Sequence, residues 1–240
     1  MSRSRSRAVA SVATLAAVLA LPGLAESLTP EELAAHISLQ AGASARVEAA
    51  GKVVYFDPFF DEKTEAPPAD LILISHGHER HCETGPVSRI LKADTVIVAP
   101  ESCATRLKDA VKRAITTPVP GEAMTVAGLS VTPVAAYTPN HADHPKSLGG
   151  VGYVLAIGGV RVYHSGSTAL VPETKAARAD IGIIAFWNGY ILSTEDAAAV
   201  ARSLGAKIVL PTHCKPEDAV KLRDMLEPAI KVDIRTRPEA

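Results

Sequence analysis

The chain has 240 residues, 47% of them hydrophobic and 21% charged, with a formal charge of −1. That length and apolar content allow one full hydrophobic core or two small ones and exclude an intrinsically disordered chain. The near-neutral charge offers no basic surface for nucleic acid or an anionic membrane.

The first 25 residues stand apart. Arg3, Arg5 and Arg7 form a basic n-region, Ala8 to Leu21 is an almost unbroken apolar run, and Gly23-Leu24-Ala25 ends in small residues, the layout of a secretory signal peptide. A membrane anchor needs about 20 apolar residues, and this run is shorter and is broken by Pro22. Cleavage after Ala25 is expected, leaving residues 26–240 as a soluble periplasmic or secreted domain with no membrane span. The leader takes three arginines from 25 basic residues and none from 26 acidic ones, so the mature formal charge is −4.

From Ser27 onward short strands and helices alternate. Thr29-Pro30-Glu31-Glu32 starts a helix, with Thr29 at the N-cap and Pro30 at N1, that runs through Leu33 to Ile37. Ala45–Ala49 and Lys52–Phe56 read as a hairpin around Ala50-Gly51. The acidic, proline-containing stretch from Asp57 to Asp70 reads as a surface loop. Leu71-Ile72-Leu73-Ile74 is wholly apolar and stops at Ser75-His76, as a strand buried on both faces would. A helix over Gly85–Leu91, a strand over Thr95–Ala99 and a helix over Ser102–Arg113 follow. Leu129–Val134, Val151–Ile157 and Val160–Tyr163 are strands, the last two joined at Gly158-Gly159. Then come a strand over Ile181–Ala185, a helix over Ala197–Leu204 capped by Ser193-Thr194-Glu195-Asp196, a strand over Lys207–Leu210 stopped by Pro211, and a helix from Pro216 to about Leu226. One layered α/β domain is the simplest organisation.

Five of the eight histidines fall beside strands: His76, His78 and His81 after one buried strand, His144 before another, and His213 after the last. Strand ends are where open sheets present site residues. Histidines two apart in a loop can turn both rings to one side and chelate one ion, and three imidazoles within six residues point to metal binding. There is no Gly-x-Ser-x-Gly elbow and no dinucleotide or phosphate-binding glycine loop, which argues against a serine hydrolase and a nucleotide-binding fold.

Ser75-His76-Gly77-His78-Glu79-Arg80-His81 resembles the His-x-His-x-Asp-His signature of the metallo-β-lactamase superfamily. Further landmarks stand in the matching order: Phe56-Asp57-Pro58, His144-Pro145-Lys146, Val151-Gly152-Tyr153, His164-Ser165-Gly166-Ser167-Thr168 and Leu210-Pro211-Thr212-His213. The order is similar to the branch of metal-dependent hydrolases that includes lactonases acting on sugar phosphates. The resemblance implies an α/β fold, an αββα four-layer sandwich, with the site at one edge of the sheets. It implies a first metal on His76, His78 and His144, and a second at the positions held here by Arg80, His81, Ser167 and His213.

Two of those four positions lack the family's carboxylate, and arginine cannot ligate a metal or act as a base at ordinary pH. Cys82 and Cys214 directly follow the two surviving second-site histidines. Each is a candidate replacement ligand, the two together are a candidate disulfide, and the plainer reading is that both are buried and inert. Glu79 is expected to point away, His141 competes with His144, His164 is as well suited to packing as to ligation, and His36 belongs to the surface.

The expected cofactor is zinc, one ion per chain or two. The expected reaction is cleavage of a small ester, lactone, amide or phosphoester by a metal-activated water of pKa about 7. Arg80 would hold an anionic group of a small-molecule substrate or stabilise a developing oxyanion. The alternative is a degenerate member that binds a metal or small ligand without turning it over.

Overall fold

The computed structural model describes residues 27–235, so the expected leader and its cleavage site lie outside the described residues. Two sheets form. One has the order β1 (Ile37–Leu39), β2 (Ala45–Ala49), β3 (Lys52–Phe56), β4 (Leu71–Leu73), β5 (Val96–Val98). The other runs β12 (Lys231–Val232), β11 (Ile208–Thr212), β10 (Ile181–Ala185), β9 (Val160–His164), β8 (Val151–Ile157), β7 (Leu129–Ala135), β6 (Met124–Val126). Each sheet has an antiparallel hairpin side and a parallel side; β3, β4 and β5 are parallel to one another, as are β9 to β12.

Strand alternation sorts the apolar side chains into three cores. Leu71 and Leu73 of β4 meet Val54 and Phe56 of β3 and, from the other sheet, Val131, Tyr153, Leu155, Val162, Ile183 and Leu210; this is the layer between the sheets. Ile72, Ile74 and Ile97 point the opposite way, under α2 (Thr84–Arg89) and α3 (Glu101–Val111), where they pack with Val87, Ile90 and Leu107. On the far side Tyr163, Ile184 and Val209 pack under α5 (Thr194–Leu204) and α6 (Pro216–Leu226) against Val200, Leu204, Leu222 and Leu226. Helix, sheet, sheet, helix is the αββα sandwich expected. It also explains why Leu71–Ile74 and Ile181–Ala185 carry no polar residue, because both faces of these strands are buried.

Local chemistry agrees with most of the expected elements. Thr29 and Glu32 form a reciprocal capping box at the start of α1 (Pro30–Ala35), and Ser193 caps α5 by accepting from Asp196 N. Both expected hairpins form, with φ of 50° and 69° at Ala50-Gly51 and of 58° and 80° at Gly158-Gly159, the positive pair that a two-residue turn needs.

Several element ends differ from the sequence reading by one or two residues, and two of these differences have a clear cause. The first helix stops at Ala35, and Ile37 opens β1, because Ile37, Ser38 and Leu39 pair with Val47, Arg46 and Ala45. The last apolar strand does not stop at Pro211 but continues to Thr212, with Pro211 opposite Ile184. Strand β12 pairs only with Ile208 and Val209, so beyond them β11 has an open flank where a residue without an N–H is tolerated. Strands β6 and β12 and helix α4 (Pro172–Ala176) had no clear sequence signal. Among the described residues no helix is long and apolar enough to cross a membrane.

Candidate metal centre

The C-terminal ends of β3, β4, β9, β10 and β11 open onto one edge of the sandwich. Asp57 follows β3, Ser75 to His81 follow β4, and His213 follows β11. The segment after β4 coils into a turn, with His78 O accepting from both His81 N (3.3 Å) and Cys82 N (3.1 Å). That turn brings His76, His78 and His81 together: the His76 ring lies 4.8 Å from His78 and 4.1 Å from His81, centroid to centroid. Gly77 is required at its place, because a Cβ there would sit 2.9 Å from the backbone carbon of Ser102 at the start of α3. Gly166, at φ +58°, is equally confined: a Cβ would meet Val151 O at 2.7 Å and Ser75 Cβ at 3.0 Å.

His144 closes the cluster from the loop after β7, its ring 5.0 Å from His76 and 4.9 Å from His78. The loop is tied by Thr138 N donating to His144 O at 2.8 Å. One ligand atom from each of His76, His78 and His144 lies within 4.8 Å of the others, and the same holds for Asp57, His76 and His81. His213 stands beside the second set, its ring 5.9 Å from His81 and its backbone at φ +49°. His141 lies further out on the same loop, with Nδ1 accepting from Asp143 N and its ring 4.6 Å from Tyr190; His144 and not His141 enters the first set.

Asp57 was read from sequence only as a landmark at the edge of a surface loop. It is fully buried, at a left-handed φ of 43°, and organises the cluster. Ser75 N donates to its Oδ1 (2.6 Å), and Ser75 Oγ and His81 Nδ1 both donate to its Oδ2 (2.5 and 2.7 Å). Since the one hydroxyl proton of Ser75 goes to Asp57, Ser75 Oγ must accept from His76 Nδ1 at 2.9 Å. Asp57 thereby favours a proton on Nδ1 of both imidazoles, which in the neutral form of each ring leaves Nε2 with its lone pair. Burial pushes the Asp57 carboxyl up, yet His81 by charge and hydrogen bond, with His164 and Ser75, holds it below the usual carboxylate range.

Two buried nitrogens, His76 Nε2 and His144 Nδ1, have no hydrogen-bond partner. Orphaned buried polar atoms cost roughly 1–3 kcal/mol each, and here they face a nest of imidazoles with a carboxylate behind it. This donor set suits a divalent transition metal, with the carboxylate in the outer-shell place that commonly orients a ligating histidine.

Burial, then repulsion from its neighbours, pushes His76 well below its ordinary value; His144 is pushed down to about 4 by burial first and then by His78 and His81. Both are neutral at pH 7, as metal ligands must be. In the chelator-treated protein the unfolded chain takes up a proton at His144 below about pH 6.5, which the folded chain refuses until about pH 4. Its stability contribution is thus complete above the unfolded value and is lost as pH falls. The thermal midpoint of chelator-treated protein should drop by roughly 3 °C or more between pH 7 and pH 5; an unchanged midpoint would contradict this electrostatic picture.

The cysteine expectations are corrected. Cys82 is bonded to Cys103 of α3, with Cα atoms 5.9 Å apart, so it neither ligates metal nor pairs with Cys214. Its side chain lies in the outer core with Ile72 and Ile74. Cys214 is buried among the apolar residues under α5 and α6 and belongs to neither ligand set. His164 is a packing residue: it stacks on Phe56 at 4.9 Å, Nε2 donates to Ala43 O (2.8 Å), and Nδ1 accepts from Gly166 N (3.3 Å). Ser167 is buried. Arg80 is exposed at φ +67°, its guanidinium 5.7 Å from the Phe59 ring centroid, and Glu79 is exposed beside it. His36 is exposed at the end of α1.

A family model described as the beta-lactamase superfamily domain matches residues 36–213. A relative from Methanoregula boonei named as a metal-dependent hydrolase is 29% identical over 177 residues, covering 68% of this chain and 74% of the relative. Among solved structures, a candidate metal-dependent hydrolase from Parabacteroides distasonis superposes with a TM-score of 0.74 at 29% identity, covering 84% of this chain and 93% of the other. A candidate zinc-dependent hydrolase of the metallo-β-lactamase superfamily from Thermotoga maritima superposes at 0.58 with 18% identity, covering 84% and 98%, and is similar in fold alone.

Proposed function

Since the chain belongs to the beta-lactamase superfamily domain family and has the metallo-β-lactamase fold, we propose that it is an exported, zinc-dependent hydrolase of small esters, lactones, amides or phosphoesters. The observation that carries this reading is the pair of orphaned nitrogens, His76 Nε2 and His144 Nδ1, in a cluster with His78. His76, His78 and His144 would hold the first ion; His81 and His213 are the candidates for a second, with Asp57 behind His81. A zinc ion bound there would supply Lewis acidity and would lower the pKa of a water it activates to about 7.

The chain's own residues supply the rest. Asp57 and Ser75 hold His76 and His81 in the tautomer that offers Nε2. Arg80, permanently charged and exposed next to His81, would hold an anionic substrate group at the mouth. Export, to the periplasm or the outside, is supported by the leader-like residues 1–25 and by the Cys82–Cys103 bridge, since disulfides persist in oxidising compartments.

A second reading is favoured by one observation: Arg80 and Ser167 stand where the family's second-site carboxylates are expected, which fits a member that binds without turnover. Residues 26–240, stripped with chelator and reloaded with zinc, should hydrolyse at least one class in a panel of esters, lactones, amides and phosphoesters, and lose that turnover on stripping. Zinc uptake with no turnover across the panel would favour the binding protein, and failure to take up zinc at all would sink the hydrolase reading.

A further inference from the structure

The chain has ten aromatic residues, and six of them, Tyr55, Phe56, Phe60, Tyr153, Tyr163 and Phe186, are buried. Only Trp187 and Tyr190 are exposed, at 43% and 41% of their surface. Both stand on one short turn after β10, on the same edge of the sandwich as the histidines. The Trp187 ring lies 5.8 Å from His213, and the Tyr190 ring lies 5.5 Å from His144, nearly perpendicular to it. The two exposed rings thus flank the cluster, one beside each outlying histidine.

The turn that presents them is tied down by hydrogen bonds. Tyr190 N and Ile191 N donate to Trp187 O, and Trp187 N donates to Leu192 O. Asn188 accepts from Thr194 N (2.9 Å) and donates to Asp218 of α6 (3.1 Å), tying the turn to two helices. Tyr190 Oη donates to Asp143 Oδ2 (2.5 Å), which joins the turn to the loop that carries His144. Large apolar rings held exposed by a fixed backbone gain nothing for the core, and rings of this kind prefer another flat ring, edge to face or offset. Asp143 places a carboxylate at that side of the mouth, so an uncharged group suits the wall, while an anionic group suits the Arg80 side.

We infer that Trp187 and Tyr190 form a preformed wall that selects substrates carrying an uncharged aromatic group next to the cleaved bond. This rests on the hydrolase reading of the same site, and it can be tested without turnover. The zinc-loaded mature chain is titrated with benzylphosphonate and, separately, with cyclohexylmethylphosphonate, two unreactive anions of similar size that differ in the flat ring. Trp187, the single tryptophan, reports occupancy by its emission, and calorimetry gives both dissociation constants.

Benzylphosphonate should bind about tenfold or more tighter in the wild type. That preference should vanish in Trp187→Leu, measured by calorimetry, while zinc content stays unchanged. Equal binding of the two probes, binding of neither, or a preference that survives Trp187→Leu overturns the inference. So does a Trp187→Leu variant that converts an assembly to monomer in sedimentation with the preference intact, which would make the patch an interface between copies. Aromatic preference in a protein that turns over nothing would leave the wall standing and remove the hydrolase reading; turnover without preference would do the reverse.

Discussion

His76→Ala is expected to abolish metal binding: zinc measured by elemental mass spectrometry on protein purified without chelator or nickel resin should fall from one or two equivalents to near zero. His76 is the one residue common to both ligand sets, so its loss damages both positions at once, whereas His213→Ala should remove at most the second equivalent. Hydrolysis of whichever substrate the wild type accepts should fall about a thousandfold or more, since the metal is asked for several kcal/mol of transition-state stabilisation and each 1.36 kcal/mol is a factor of ten. A general loss of folding would look similar, and thermal unfolding separates the two. His76 is buried with an unpartnered nitrogen, so its removal should leave the chelator-treated protein no less stable than the wild type by more than about 1 kcal/mol. Zinc at a hundredfold excess over its dissociation constant should add about 2.7 kcal/mol to the wild type and nothing to the variant. A His76→Ala protein that keeps full zinc would refute the assignment of the centre.

The same construction explains why the site needs the whole fold. The histidines come from several strand ends and from the turn after β4, and local contacts such as Ser75 Oγ to His76 Nδ1 are joined by pairings distant in sequence. The partners of Asp57 are 18 and 24 residues away in sequence, and the turn bearing His78 rests on α3 through Gly77. Tyr153 Oη donates to Ile74 O at 2.7 Å, and Val151 N to Ser75 O at 2.9 Å, so the second sheet fixes the point at which the first one ends. Loss of the inter-sheet core around Leu73 and Tyr153 would therefore loosen the histidine cluster before it removed any of its members.

What was legible in the sequence follows the range of the interactions. Alternation and turn chemistry act over a few residues, so the hairpin at Ala50-Gly51, the doubly buried Leu71–Ile74 run and the capped helix after Ser193 could be read directly. The histidines could be read because imidazole clustered at strand ends is chemically distinctive, and the structure brings His144, the residue in the His-Pro-Lys context, within 4.8 Å of His76 and His78. The Cys82–Cys103 bridge was not legible. Cys82 sits next to His81, which suggested a part in the site, but its side chain joins the core under α3, and its partner lies 21 residues on, where packing of α3 decides the pairing. Asp57 was visible as a residue and invisible as a function, because a single carboxylate after a strand carries no sign of what will accept or donate to it. Trp187 and Tyr190 were missed for a related reason: only burial of the other large rings makes exposure of these two informative.

Asp57→Asn is the substitution that isolates this hidden role. Asparagine has the same size and shape and tolerates the left-handed backbone at this position, but it replaces one acceptor oxygen by a donor NH2. With its carbonyl oxygen kept for Ser75 N, the amide nitrogen faces Ser75 Oγ and His81 Nδ1. His81 must then accept at Nδ1 and carry its proton on Nε2. Ser75 must accept from the amide and turn its own proton to His76 Nδ1, which moves the proton of His76 to Nε2 as well. One exchanged atom thus inverts both tautomers and blocks both nitrogens that the wild type offers to a metal. Zinc affinity should fall about 10- to 100-fold, the range found when an outer-shell partner of a ligand is lost, with the far-UV circular dichroism unchanged. Asp57→Ala should behave differently: it strips partners from three buried groups, so the chelator-treated protein should itself lose about 3 kcal/mol or more in addition to its zinc affinity. If Asp57→Asn binds zinc as tightly as the wild type, the carboxylate does not set the imidazole protons, and the arrangement around Ser75 is a packing contact only.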